Sequence, residues 1–424
     1  MLSVLKKAIQ LSDIRKKIVI TLFLILVYRI LSHIPLPGID REALRQLFTS
    51  NQLLGLLDIF SGGSLSRFSI GTLGVGPYIT ASIFMQVLVF VIPKLEELQK
   101  EGSYGAEKIN RYTKLLTLPF SLIQAFAIFT LFSRQHLFGN LDPLSIASII
   151  LVLACGGFIA MWIGDLITEQ NIGQGISILV LVGILSGIPS NASNIFLAGE
   201  SGNITNTIAF AIIALIVIAG VVLVNDAVRK IPIAYASRVS QASYQGDSFL
   251  PLKVNQAGVI PIIFAVSLVL VPSILGNYLN QFNYGYYPKI TSFLVENFAS
   301  GSIYYNALYF VMVIVFTFFY TAVSFNPEKV AKDLKDRGGF IPGIRPGRAT
   351  EDYLNRILTR ITLIGAIFLG LVAIFPNIAT SLTGMKSLTI GGTSVLIVVS
   401  VVLETLKKLE SQVIMREYDK ISLK

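Results

Sequence analysis

The stretch "LLGLLDIFSGGSLSRFSIGTLGVGPYITASIFMQ" (residues 53–86) decides the fold. It is too apolar for a comfortable loop in water. It is also too broken for a continuous helix, because Gly62, Gly63, Gly71, Gly74, Gly76 and Pro77 each weaken helical continuity. Irregular backbone at membrane depth is tolerated where protein buries it or where it lines a watery cavity. The stretch therefore predicts a re-entrant segment inside a funnel, leading into a membrane helix; the plainer alternative is an ordinary interfacial helix.

Working outward, the remaining chain agrees with lipid as solvent. Of its 424 residues 53% are apolar and only 14% charged, against roughly 25% charged in a soluble domain. A crossing needs about 20 apolar residues, and ten stretches of that kind occur at 18–34, 73–92, 115–132, 144–167, 172–188, 208–227, 257–275, 303–325, 361–378 and 388–406. None alternates with the period of a barrel strand, so the reading is an all-α integral membrane protein. The N-terminus is basic but shows no cleavage pattern, so the first span is expected to stay. A single cysteine, Cys155, argues against a disulfide framework, and His33 and His136 alone do not make a His-rich metal site.

Charge sorts between alternate sides of these spans. The N-tail, the even-numbered connections and the C-tail hold 27 of the 34 Lys+Arg and 18 of the 24 Asp+Glu, an excess of nine positive charges. The other side holds Arg41, Arg45, Arg67, Arg134, Lys289 and Lys386 against six acidic residues. The positive-inside rule then places both termini in the cytoplasm or stroma. Two basic connections, 229–256 and 326–360, are too long to be mere turns. Scattered basic residues can serve only as orientation signal and headgroup contact. The arginines of "DRGGFIPGIRPGRA" (336–349), set among glycines and prolines, suit a rigid protruding docking loop better, with acidic protein surfaces or nucleic-acid phosphates as partners.

Ionisable residues narrow the kind of cavity. A coupled transporter keeps carboxylates or histidine near the bilayer centre, whereas Asp165, Glu169, Asp226 and Glu404 all fall at or near span ends. Arg29 is the one deep charge, close enough to the external end of its span to snorkel into water. There is no HExxH, no GxxxxGK[ST] and no GxSG within a span, and "WIGD" (162–165) is only part of an intramembrane aspartyl-protease motif, so no catalysis, cofactor or metal is expected. A narrow aliphatic constriction passes varied cargo with little grip and excludes ions when closed. Two other readings stand beside the channel: a small-solute transporter, which would need a mid-membrane ion cluster, and a scaffold, which leaves the broken second span unexplained.

Five ordered stretches carry a family resemblance: "FSGGSLSRFSIGTLGVGPYITASI" (60–83), "TEQNIGQGISILVLVGILSGIP" (168–189), "KVNQAGVIPIIFA" (253–265), "NPEKVAKDLKDRGGFIPGIRPG" (326–347) and "GGTSVLIVV" (391–399). They resemble the SecY family, the central channel subunit of the bacterial and plastid Sec translocase. The resemblance implies ten transmembrane helices in two inverted five-helix halves closing as a clamshell, 1–188 and 207–406, with a hinge at 189–206 and a tail at 407–424. It implies a plug at about 56–70 that includes Leu56, Phe60, Ser61, Gly62, Gly63, Ser64, Arg67 and Ile70. A pore ring of Ile79, Ile83, Val180, Ile263 and Ile397 follows from the same likeness, with Val180 standing where isoleucine is expected. By themselves, Ile79 and Ile83 show only that two residues share a helix face.

The lateral gate is expected where the second and third spans meet the seventh and eighth, with Gln86, Gln124 and Asn255 as polar contacts. Such amides are as often simple interhelical hydrogen bonds. Arg238 and Arg345 match positions that engage a SecA motor ATPase or a ribosome. SecE-like and SecG-like small subunits, preprotein signal sequences and the lipid bilayer complete the implied partners. The membrane is a bacterial plasma membrane or, alternatively, a cyanobacterial or plastid thylakoid.

Overall fold

A computed structural model describes residues 8, 10–50, 58, 61–135, 137–139, 141–200, 204–235, 248–281, 293, 297–298, 302–383 and 392–422. Of the expected site residues, Leu56, Phe60 and Arg238 lie outside these. Among the described residues, each of the ten apolar stretches overlaps a helix. In chain order the helices are α1 (Ser12–Leu31), α2 (Arg41–Ser50), α3 (Gly76–Val91), α4 (Pro93–Lys100), α5 (Ser103–Arg134), α6 (Pro143–Glu169), α7 (Gly175–Glu200), α8 (Ile204–Asp226), α9 (Ile260–Gln281), α10 (Ile303–Ser324), α11 (Pro327–Asp336), α12 (Arg348–Thr383) and α13 (Gly392–Ser422).

Among the described residues, four helical segments, Ser103–Arg134, Pro143–Glu169, Ile303–Asp336 and Arg348–Phe375, are long and apolar enough to cross a membrane; α3 with α4, bent by 99°, is a broken span or a re-entrant loop. The bend falls at Ile92, which is extended (φ −101°, ψ 111°) ahead of Pro93, as the restriction on a residue before proline requires. Large apolar side chains face outward at Phe90, Leu115, Phe126 and Leu223. Exposed apolar surface on this scale marks a lipid or protein contact rather than a water-facing wall.

The chain divides into two compact units, Met1–Asn194 with Val401–Lys424, and Ile195–Ser400. In the first, α3 packs on α5, α5 on α6, and α6 on α1. Its largest cluster is aromatic: Phe68 meets Phe132 at 5.6 Å and Phe138 at 5.4 Å, and Phe129 stacks on Phe138 at 5.1 Å. In the second, α10 packs on both α9 and α12.

The second unit also folds the two basic connections together. β1 (Val228–Pro232) pairs antiparallel with β3 (Phe249–Lys253), Ile231 opposite Leu250, and β2 (Ala234–Tyr235) pairs with β4 (Gly339–Phe340). Because side chains alternate along a strand, Ile231 and Leu252 point the same way. They bury themselves with Ile341 and Leu354 in a small apolar core. The sequence treats 229–256 and 326–360 as separate loops; among the described residues the structure joins them through β2, β4 and that shared core into one module.

Candidate functional site

α3 has 16 residues, about 24 Å at 1.5 Å per residue, which is short of the roughly 30 Å hydrocarbon core. The polypeptide ahead of it, from Ser61 to Val75, is described almost wholly as turns. Positive φ occurs at Gly62 (+74°), Gly63 (+77°), Gly74 (+51°) and, unusually for a side-chain-bearing residue, Phe68 (+44°). The strain at Phe68 is held by burial, since its ring is completely enclosed by the aromatic cluster.

Backbone that is neither helix nor strand needs other partners, and serine and threonine supply them. Ser64 Oγ lies 2.5 Å from the Ser61 carbonyl and 2.6 Å from that of Gly71. The Thr72 hydroxyl donates to Ser69 O at 2.5 Å, and Ser61 Oγ accepts from the Leu65 N–H at 3.1 Å. Asp58 accepts from the Ser66 N–H at 2.9 Å. Two backbone bonds, Leu36 N to Phe68 O and Ile70 N to Ile34 O, stitch the segment to the chain just after α1.

Glycines in the surrounding helices admit this backbone closely. A Cβ on Gly156 of α6 would stand 1.8 Å from the Ile70 carbonyl oxygen, and one on Gly62 would stand 3.0 Å from Gly183 Cα of α7. The expected plug residues Ser61, Gly62, Gly63, Ser64, Arg67 and Ile70 thus share one seat in the first unit. Ser61, Gly62 and Ser64 are buried and Arg67 is exposed, with a nitrogen against His33 Nε2.

Arg29 departs from expectation. Rather than snorkelling freely, its Nη1 donates to the Gly62 carbonyl at 2.9 Å. Ser186 of α7, which sequence reasoning missed, shares that acceptor at 3.4 Å. A lone charge inside an apolar stretch and a glycine turn next in line were the signals; nothing in one sequence pairs them.

The expected ring residues are differently exposed. Ile79, Ile83 and Ile263 are partly buried, whereas Val180 and Ile397 are buried. Ile79, Ile83 and Val180 belong to the first unit, Ile263 and Ile397 to the second. Of the expected gate amides, Gln124 Nε2 donates to Thr80 Oγ1 at 3.0 Å, joining α5 to α3. Gln86 Nε2 lies 3.4 Å from Ser82 Oγ, with its buried carbonyl oxygen unpaired. Asn255 Nδ2 donates to Asn225 Oδ1 at 2.8 Å, and Asn225 Nδ2 to Ser400 Oγ at 2.7 Å. This chain of amides within the second unit was not foreseen. Arg345 is exposed, and its carbonyl accepts from the Thr350 hydroxyl at 3.0 Å.

Apolar helices with outward-facing greasy surfaces, a hydroxyl-bonded irregular segment lodged among them, and a basic module built from two loops define a polytopic α-helical membrane protein. The SecY family model matches residues 69–406. The chain is 41% identical to the protein translocase subunit SecY of Streptomyces coelicolor and 39% identical to that of Mycobacterium tuberculosis, in each case over 99% of both chains. This chain belongs to the SecY family. Its fold is similar to that of a solved protein-conducting channel (TM-score 0.65, 22% identity, 92% of this chain and 90% of the other). It is likewise similar to canine Sec61 in a ribosome–channel complex from the endoplasmic reticulum (TM-score 0.63, 22% identity, 93% and 91%).

Proposed function

We propose that the chain is a passive protein-conducting channel: it passes unfolded preproteins across the membrane and releases membrane segments sideways into lipid. It is a channel and not an enzyme. The observation that carries this reading is the glycine–serine segment seated among the helices of the first unit ahead of a helix too short to cross alone. We read 56–70 as the plug, and Ile79, Ile83, Val180, Ile263 and Ile397 as an aliphatic ring beneath it. Wet carbonyls or carboxylates at such a ring would hold ions; branched aliphatic side chains exclude them by dewetting.

The ten apolar spans form two inverted five-span halves with both termini on the cytoplasmic or stromal side, supported by the one-sided excess of basic residues. The β-paired module then faces that side and presents Arg345 to a ribosome or a SecA-type motor, with Arg238 as a second contact. Ribosome docking is supported by the likeness to canine Sec61 in a ribosome–channel complex. SecE-like and SecG-like subunits complete the assembly. Gln86, Gln124 and Asn255 are the gate amides. A bound partner opens the channel only by favouring the open arrangement over the closed one, so docking and signal-sequence binding act on one equilibrium.

The test is a stalled secretory chain crosslinked to single cysteines. Contact at Ile79→Cys and Ile397→Cys is expected. Crosslinks confined to the outward-facing Phe23 and Phe126 would place cargo on the outer wall and refute the reading.

A further inference from the structure

The guanidinium of Arg29 is partly buried and reaches the plug segment at the Gly62 carbonyl. That carbonyl is aimed by a backbone at φ +74°, which glycine adopts without strain. A Cβ at Gly62 would meet Gly183 Cα at 3.0 Å, Arg29 Nη1 at 3.7 Å and Tyr28 Oη at 3.8 Å, so the turn lies wedged between α1 and α7. The other end of the turn meets the chain just after α1 at His33. The backbone carbonyl of Arg29 lies 2.8 Å from His33 Nδ1, and His33 Nε2 meets Arg67. A carbonyl can only accept, so Nδ1 carries the hydrogen and Nε2 is left to accept from Arg67. The Arg29 guanidinium therefore meets position 62, and His33, four residues on, meets position 67.

We propose that Arg29 is a latch for the plug: a positioning residue whose bond to the Gly62 carbonyl keeps the segment seated and must break before the channel opens. The inference rests on the plug reading above. Hydrogen bonds to charged groups are the stronger class, and a guanidinium in a low-dielectric wall loses its best acceptor when the turn leaves. The segment's other bonds to the chain around it include the Ser186 hydroxyl, two backbone pairs and the exposed Arg67–His33 contact, so removal of this one partly buried charged contact shifts the seated-to-unseated balance by about tenfold or more.

The test uses the full chain in membrane vesicles from a bacterial host, in a Cys155→Ser background. Two quantities are read without cargo: chloride efflux, and the rate at which a cysteine at Ser66 reacts with a membrane-impermeant maleimide. Deletion of residues 61–69 serves as the control for the plug reading itself. Arg29→Met is expected to raise both quantities about tenfold. Arg29→Lys keeps the charge but loses the fork and is more strongly hydrated, so it is expected to label several-fold faster than the parent.

If the deletion does not leak, the plug reading fails. If the deletion leaks while Arg29→Met stays tight and labels at the parental rate, the latch fails alone. Should Arg29→Met not accumulate in the membrane, Arg29→Lys decides, and a parental labelling rate overturns the proposal. A purely structural arginine would lower abundance without speeding the reaction at position 66 in the inserted population.

Discussion

Two irregular regions of this chain, the glycine–serine segment before α3 and the module made from residues 228–235, 248–253 and 326–360, are built on opposite plans. The module has strands, a register and a dry core of Ile231, Leu252, Ile341 and Leu354. Among the described residues the segment is mostly turns, with one isolated antiparallel bridge from Ser69 to Pro35. It rests on single bonds from Ser61, Ser64, Thr72 and Arg29 to main-chain groups, and on glycines that let backbone touch backbone. The neutral bonds contribute about 0.5–1.5 kcal/mol each, and the one from the Arg29 guanidinium about 1.5–3 kcal/mol. A segment held by several small, separate contacts can be lifted and replaced, whereas a module with a shared apolar core moves as one body. The first plan suits a plug and the second a docking platform.

The sharpest way to break this contrast is Gly156→Ala. Its methyl would stand 1.8 Å from the Ile70 carbonyl oxygen, and a backbone obstacle cannot rotate aside. A loss above about 4 kcal/mol of local stability is expected, read as fast labelling of a cysteine at Ser66 with the module still protected from protease. Slow labelling would show that the seat tolerates crowding. The mirror experiment is Leu354→Ala. Deleting a fully buried leucine costs about 2–5 kcal/mol. Proteolysis within 326–360 should rise while labelling at position 66 stays at the parental rate; unchanged proteolysis would mean that the four-residue core does not hold the module.

Much of this architecture was legible before any coordinates. Apolar length located the helices, and the density of glycine between Gly62 and Gly76 located the irregular segment, because both signals are local in sequence. The rest depends on distant pairs. Arg29 read as a snorkelling cation because its acceptor lies 33 residues away in the chain. The module read as two loops because Ala234 and Tyr235 meet Phe340 and Gly339 across a pairing that two-residue strands cannot announce. Asn255, assigned to a gate by family likeness, also joins Asn225 and Ser400, a chain that no spacing in one sequence reveals.

A subtler change divides the two plans further. Ser64→Ala removes a buried hydroxyl placed between the carbonyls of Ser61 and Gly71. Unsatisfied buried acceptors cost about 1–3 kcal/mol, so labelling at position 66 should quicken, by less than with Gly156→Ala. A rate at or beyond the Gly156→Ala value would mean that hydroxyl bonds, and not the glycine contact, dominate the seat.

Arg345→Glu should disturb the fold least and function severely. The side chain is exposed, and the loop around it is shaped without it: Gly343 (φ +81°) and Gly347 (φ +100°) make the turns, while the Thr350 hydroxyl grips the Arg345 main chain and not its guanidinium. A surface substitution of this kind changes stability within about 0.5 kcal/mol, so protease resistance of the module should match the parent. Export should nevertheless fall severely, because a reversed charge repels the acidic or phosphate surface that the arginine would meet. Normal export by a stably folded Arg345→Glu variant would strip the module of its docking role and leave it as packing alone. A parallel loss of fold and export would mean that the platform and its contact residue are not separable, against the plan that the dry core implies.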